Sequence, residues 1–331
     1  PRVQAVAVKT VIRADANHTI GVGHFIRCMT LARELKAAGH TVDFQSRCEI
    51  PKLAESAVGH GLPLTQIEPA ESGEGPTFVS TGTHYDWAIL DGYHFTETAH
   101  GSARKIADRL LIIDDTPRDI EYSADLLLDQ NHGAENQQYP LATEAQLLGT
   151  TFALIRPEIT ALRESSLSQP RTNITSVVVT FGGSDPADAT SNVIEALANI
   201  TTHNLQVTVI AGPANARIPQ LKRQCDEAGF NFHVNPSNLP EILSTSDLAI
   251  SATGTTVLEL MCLGVPVLSL SIADNQIPTA RALERDGLIA YFGGSSQLSP
   301  DTLKQRIIDN LANPDKLATM GRRASNEMDG K

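Results

Sequence analysis

Apolar positions along this chain fall into short, almost unbroken runs separated by longer stretches with helical spacing. The first half carries "TVIRAD", "TVDFQSR", "WAILDGY", "LLIIDD" and "ADLLLDQN"; the second carries "SVVVTFGG", "LQVTVIAG", "FHVN", "LAISAT" and "VPVLSLSI". Such runs between helices predict parallel strands buried on both faces, because a sheet with one wet face would alternate apolar and polar residues. No short-period repeat is present, but the strand–helix alternation occurs twice. The pattern predicts an α/β chain of two Rossmann-type domains facing a central cleft, residues 1–155 and 156–331. The seam is expected around residues 152–174, "FALIRPEITALRESSLSQPRTN", polar near its end and punctuated by Pro157 and Pro170.

In open α/β sheets ligands bind beyond the carboxyl ends of the strands, and the chain concentrates its distinctive residues there. "RADANHTIGVGHFIRC" ends the first strand and opens an amphipathic helix. Gly21 and Gly23 begin a dinucleotide-type fingerprint, but Ile26 stands where a third glycine would let helix and strand approach. No clear acidic residue closes the next strand to hold a ribose, so a nicotinamide or flavin site is not expected. His24 falls instead in the first helical turn, where the positive helix end favours a neutral imidazole able to accept a proton. Asp15, ending the strand, is a candidate to orient that imidazole or to hold a substrate hydroxyl. Arg27, one turn beyond His24, is a candidate to approach the same ligand. A capping or hydrogen-bonded structural role is the plain alternative for a lone histidine; the glycines before it and the motifs of the second half favour chemistry.

The second half supplies those motifs. "VVVTFGGSDP" ends a buried strand with Gly182 and Gly183, followed by Ser184 and Asp185, a turn whose amides can approach a diphosphate with no side chain intervening. "LAISATGTTVLELMCLGVPVLSL" leads from a strand to Gly254, Thr255 and Thr256 at a helix start, which offers amides and hydroxyls to an anion. Glu259, a turn further, is placed to accept hydrogen bonds from ribose hydroxyls. In this order the motifs resemble the donor-nucleotide domain of GT-B glycosyltransferases, with the peptidoglycan N-acetylglucosaminyltransferase as a broad analogue.

Composition narrows the partners. At 331 residues, 41% hydrophobic and 19% charged, the chain reads as an ordinary soluble protein able to build two cores. A net charge of -12 argues against a nucleic-acid-binding surface. No apolar run approaches the roughly 20 residues of a membrane span, and the start "PRVQAVAVKT" lacks a signal-peptide core. Cys28, Cys48, Cys225 and Cys262 are scattered with no Cys-x-x-Cys pair, so neither disulfides nor zinc are indicated and a reducing cytoplasm is expected. Asp114 and Asp115 invite a cation, but adjacent strand-end residues usually point different ways. A turn-capping or cleft-shaping role is expected for them, with no metal and no cofactor, in a monomer or weak homodimer.

The run of motifs "RADANHTIGVGHFIRCMTLA", "LDGY", "IIDD", "ADLLLDQN", "FALIRPE", "FGGSDP", "SATGTTVLELMCLGVP" and "ADNQ" resembles a family of UDP-sugar hydrolases of nonulosonic acid synthesis. The family is that of UDP-2,4-diacetamido-2,4,6-trideoxy-β-L-altropyranose hydrolase, of the pseudaminic acid pathway. The resemblance covers about Thr10 to Phe292 and implies a GT-B-like fold and a UDP-sugar substrate. It makes His24 the active-site histidine and Tyr93, after strand-end Asp91, an active-site tyrosine. It places Glu259, Asn275 and Gln276 around the nucleotide ribose and phosphates, and the backbone of His233 to Asn235, with Val234 at its centre, against uracil. Catalytic roles thus fall to His24, Asp15 and Tyr93. Arg13, Gly23, Arg27, Asp91, His94, Arg156, Gly182, Gly183, Ser184, Asp185, Val234, Gly254, Thr255, Thr256, Glu259, Asn275 and Gln276 are the substrate-side candidates. The chain departs from the family at one place: Asp-His-Tyr is common there, whereas this chain reads Asp91-Gly92-Tyr93 followed by His94.

The implied task is displacement of UDP from an anomeric carbon. His24 would deprotonate water as a general base, a role worth about a hundred- to ten-thousandfold. The glycine-turn amides would stabilise the departing diphosphate. Attack opposite the leaving group predicts inversion, with Asp15, Arg27, Tyr93 and His94 orienting water and sugar. The competing enzyme readings are a GT-B glycosyltransferase with a sugar or lipid acceptor, and a hydrolysing 2-epimerase whose motifs are not matched. A non-catalytic sugar-nucleotide sensor is disfavoured by the retention of His24, Asp15 and Tyr93.

Overall fold

The structure is a computed structural model that describes residues 7–68, 77–140 and 145–330. The chain divides into two compact units, Pro1–Leu154 and Ile155–Lys331. Each is a parallel sheet with helices between its strands, a Rossmann-like α/β unit of the GT-B kind.

In the first unit the elements run β1 (Lys9–Ala14), α1 (Gly23–Ala37), β2 (Thr41–Ser46), α2 (Pro51–Gly59), β3 (Leu64–Gln66), β4 (Tyr85–Asp91), α3 (Glu97–Arg104), β5 (Ala107–Ile113), β6 (Leu126–Asp129) and β7 (Ala145–Leu148). The sheet order is β3-β2-β1-β4-β5-β6-β7. Val11, Ile12 and Ala14 of β1 and Ala88 and Leu90 of β4 are buried, because helices cover both faces of these central strands. The chain reverses its direction of winding between β1 and β4, the switch point where such sheets open a crevice. There Ala14 is the register partner of Asp91, so the strand ends carrying Asp15 and Asp91 lie side by side.

The second unit contains α4 (Pro157–Leu167), β8 (Ser176–Thr180), α5 (Ala189–Ala198), β9 (Gln206–Ala211), α6 (Ile218–Ala228), β10 (Asn231–Val234), α7 (Leu239–Thr245), β11 (Leu248–Ala252), α8 (Thr255–Cys262), β12 (Val267–Ser271), α9 (Ile277–Arg285), β13 (Ala290–Gly294), α10 (Pro300–Leu311) and α11 (Pro314–Glu327). Its sheet order is β10-β9-β8-β11-β12-β13, with the switch between β8 and β11, where Thr180 pairs with Ser251.

The division between the units, after Leu154, falls within the stretch expected as a seam, and the remainder of that stretch is built into the second unit. Arg163 on α4 donates to the carbonyls of Cys262, Ser325 and Met328. The buried Arg171 donates to the carbonyls of Ser166, Ser244 and Ser246. Two cations satisfying carbonyls at chain bends make these residues part of a core edge, and the polar character read as a linker is hydrogen bonding. Among the described residues no helix is long and apolar enough to cross a membrane.

Candidate functional site

In the first unit β1 is followed by a tight glycine turn. Asn17 accepts the amides of Thr19 and Ile20 on its side chain and that of Gly21 on its carbonyl. Gly21 takes a φ of 82°, open to glycine at no steric cost. The turn delivers Gly23 and His24 to the start of α1, which has no side-chain cap. A Cβ on Gly23 would meet nothing within 4 Å, so the space in front of this helix end is open.

His24 is buried, and its Nδ1 lies 2.7 Å from Asp91 Oδ1. Arg27 Nη2 lies 3.1 Å from the same nitrogen, but its own 2.7 Å bond runs to Asp91 Oδ1. A guanidinium only donates and a carboxylate only accepts, so the network assigns the proton to Nδ1. Among the described residues no hydrogen bond engages Nε2, which is left with a lone pair. Asp91 is fully buried and accepts from His24, from Arg27 Nε at 2.6 Å and Nη2, and from the Cys28 thiol. Burial alone would raise the Asp91 carboxyl, but the charge of Arg27 and the hydrogen bonds from Arg27 and His24 hold it well below the usual carboxylate range. Arg27 Nη1 continues to Asp115 Oδ2 at 2.7 Å, and the Tyr93 hydroxyl donates to Asp115 Oδ1. The Tyr93 ring stands edge-on to His24 with centroids 4.8 Å apart.

A second chain of groups lies beside the first. Asp15 accepts the Arg47 amide at 2.8 Å, Arg13 Nη2 at 3.0 Å and His94 Nε2 at 3.0 Å. Arg13 Nε lies 2.8 Å from Asp15 Oδ1 as an ion pair, off the line of a hydrogen bond. Burial raises the Asp15 carboxyl, but the His94 hydrogen bond and the Arg13 charge bring it down to about 2. His94 rests against Phe95, with ring centroids 4.1 Å apart, and its side chain is partly exposed. The departure at Gly92 has a steric counterpart. Gly92 takes a φ of 155°, and a Cβ there would fall 2.7 Å from His94 Cε1. The missing side chain at 92 is the space His94 occupies.

Several expected roles change. Asp91, not Asp15, orients His24; Asp15 is committed to Arg13, Arg47 and His94. Arg13 and Arg27 were candidates to touch substrate, but both guanidinium groups are buried and spent on Asp15, and on Asp91 with Asp115. Asp115 was read only as a turn or cleft residue, and its link from Arg27 to Tyr93 had no sequence signal beyond its strand-end place. Asp114 does cap the following turn through Thr116, and it also accepts from Arg118 and Tyr122.

In the second unit Gly182, at φ 73°, faces open space after β8, with Gly183 and Ser184 half-buried beside it. The Asp185 carboxylate is committed within its own segment: it accepts the amides of Ala189 and Thr190 and the Thr190 hydroxyl, capping α5. Gly212, unremarked in the sequence, is required here. A Cβ on it would lie 2.3 Å from the Gly182 carbonyl oxygen and 2.4 Å from Gly183 Cα. Gly254 is exposed at the start of α8, with Thr255 and Thr256 half-buried in its first turn, where amides have no intrahelical partner. Gln276 lies near Gly254 and braces its own loop by accepting the Ile272 amide; Asn275 is exposed beside it. Val234 ends β10 half-buried, and Asn235 follows at φ 45°. Glu259 is buried in α8 and both its oxygens accept from Arg156, at 2.5 and 2.7 Å. Arg156, expected on the substrate, therefore sits on Glu259. Among the described residues no group of three or more His, Cys, Asp or Glu side chains is arranged to hold a metal ion.

Residues 177–330 match the Glycosyltransferase family 28 C-terminal domain. An uncharacterized protein of Methanocaldococcus jannaschii is 24% identical over 276 residues, 80% of this chain and 55% of that one. The UDP-N-acetylglucosamine--N-acetylmuramyl-(pentapeptide) pyrophosphoryl-undecaprenol N-acetylglucosamine transferase of Rhodospirillum rubrum is 28% identical over 172 residues, 49% of this chain and 44% of that one. The chain thus spans about half the length of the curated relatives it matches. Among solved structures, MurG of Acinetobacter baumannii superposes with a TM-score of 0.63 at 16% identity, covering 96% of this chain and 95% of that chain.

Proposed function

We propose that this protein transfers the glycosyl group of a uridine diphosphate sugar to a hydroxyl acceptor, with His24 as the general base. The observation that carries the reading is the His24–Asp91 pair. A buried aspartate fixes one ring nitrogen as a donor and leaves the other free to take a proton. The acceptor O–H gives its proton to His24 Nε2 as its oxygen bonds to the anomeric carbon, and the bond to the diphosphate breaks with inversion. Asp91 then stabilises the imidazolium. The amides of Gly182, Gly183, Thr255 and Thr256 receive the charge that develops on the departing diphosphate, and Glu259 takes the ribose. Support for the nucleotide half comes from the family 28 match over residues 177–330 and from the UDP-sugar named in the Rhodospirillum rubrum relative.

A second reading replaces the acceptor hydroxyl with water. It is favoured by the resemblance of the run of motifs from "RADANHTIGVGHFIRC" to "ADNQ" to UDP-sugar hydrolases. One experiment separates the two: the purified protein is incubated with a panel of UDP-sugars, with and without sugar and lipid acceptors, and UDP release is followed. Release that needs an acceptor supports transfer, and release in water alone selects hydrolysis. No release from any donor under either condition contradicts both.

A further inference from the structure

Arg47 follows the carboxyl end of β2 and is half-buried. Its backbone is pinned: the amide donates to Asp15 Oδ1 at 2.8 Å, and the carbonyl accepts the Ala16 amide at 3.2 Å. Its guanidinium is not. Among the described residues no hydrogen bond or ion pair engages that group, and Nε is shut off from water without an acceptor. Nη1 and Nη2 are not shut off in this way, so they are the face the side chain presents. Asp15, which the Arg47 amide reaches, already carries Arg13 and His94. Burial depresses the Arg13 guanidinium, Asp15 raises it again, and the charge of Arg47 lowers it further, so the two cations stand within electrostatic reach. Asp15 balances one of them. One positive charge is left over, and in a half-buried position it is costly until an anion meets it. The place is also the side where such sheets take ligands. β2 lies next to β1, about 4.8 Å away, and β1 leads into the turn that delivers His24.

We propose that Arg47 anchors an oxyanion subsite in the first unit, and that the acceptor it holds carries a carboxylate. The inference rests on the transfer reading above and deepens it by naming the acceptor class. A planar guanidinium matches a carboxylate with two parallel hydrogen bonds, which fixes the orientation of the acceptor as well as its position. One unmatched positive charge also calls for one negative charge. A phosphate monoester, close to −2 at neutral pH, would leave a second charge facing the carboxylates of Asp15 and Asp91.

The test is calorimetric and uses the full chain with no sugar donor present. D-glucuronate and D-galacturonate are each compared with their methyl esters, and glucose 6-phosphate serves as a dianionic probe, on the wild type, Arg47→Gln and Arg47→Lys. The wild type is expected to bind at least one acid about tenfold or more tightly than its ester, the scale of hydrogen bonds to a charged group. Arg47→Gln should erase that preference and leave ester affinity unchanged. Arg47→Lys should keep only part of it, since an ammonium supplies charge without the planar fork. Acids and esters bound alike by the wild type, or not bound at all, would overturn the inference. So would a preference that survives in Arg47→Gln. Glucose 6-phosphate bound more tightly than either acid would overturn the carboxylate assignment in favour of phosphate. UDP release that needs an acceptor but shows no preference for acids would keep the transfer reading and remove the inference. Arg47-dependent binding of acids by a protein that releases UDP in water alone would remove the transfer reading and leave the subsite. The wild-type comparison needs no substitution, so it stands even if a variant fails to fold.

Discussion

At the scale of single residues, the site is a set of buried charges held by opposite charges and hydrogen-bond donors. Asp15 illustrates the energetics. Its carboxyl sits at about 2 in the folded chain, against 3.8 for the free side chain, so the folded state binds its proton less well than the unfolded state does. That contribution is fully present above 3.8 and is lost as the pH falls through about 2, and it amounts to something on the order of 2 kcal/mol. Asp15→Asn should therefore be less stable than the wild type at neutral pH, and the gap measured by urea denaturation should close between about pH 4 and pH 2. A gap that stays constant with pH would mean that the charge of Asp15 is not what the fold uses. The sequence put Asp15, Asp91 and His24 at strand and helix ends, but not which carboxylate meets which imidazole. That choice follows from the β1–β4 register, which sets Asp91 beside Ala14 and sends Asp15 to Arg13 and His94. Arg27 was misread for a related reason. Its place one turn after His24 was legible, but the two aspartates that absorb its guanidinium come from β4 and from the residues after β5, far along the chain.

At the scale of elements, the strands visible in the pattern are those that helices cover on both faces. β11 and β12 are buried at every position, and "LAISA" and "VLSLS" stand out as apolar runs broken only by buried serines. β3, β7 and β13 were not legible. Each is a sheet edge with partly exposed positions, and "LTQ", "AQLL" and "AYFGG" carry neither a long apolar run nor clean alternation. The glycine turns were legible as turns, but the glycine that packs against one of them was not, because its constraint is a tertiary approach. Gly212 follows β9, and its missing side chain lets that strand end lie on the Gly182–Gly183 backbone. Gly212→Ala forces backbone apart from backbone, a clash that costs about 1–3 kcal/mol when the structure must shift. The variant should keep its fold by circular dichroism but bind UDP more weakly, since the displaced turn is the one proposed to hold the diphosphate. UDP affinity equal to wild type would show that the turn takes no part in binding.

At the scale of the whole molecule, two units of one architecture carry different chemistry. The first concentrates titratable side chains at its switch point: His24, Asp91, Arg27, Asp115 and Tyr93. The second offers mostly backbone amides and small residues at its own switch point, with the Arg156–Glu259 pair as its buried charge. The central claim is that His24 takes a proton, and that Asp91 exists to let it. Its most direct test is the turnover of His24→Asn with a UDP-sugar donor that the wild type consumes, measured alongside UDP affinity by calorimetry. Asparagine keeps a polar group at this helix end but cannot accept the proton. Turnover is expected to fall at least about a hundredfold, the lower end for losing a general base, while UDP affinity is unchanged. Turnover close to that of the wild type would contradict the claim and leave His24 as a residue that shapes the first turn of α1.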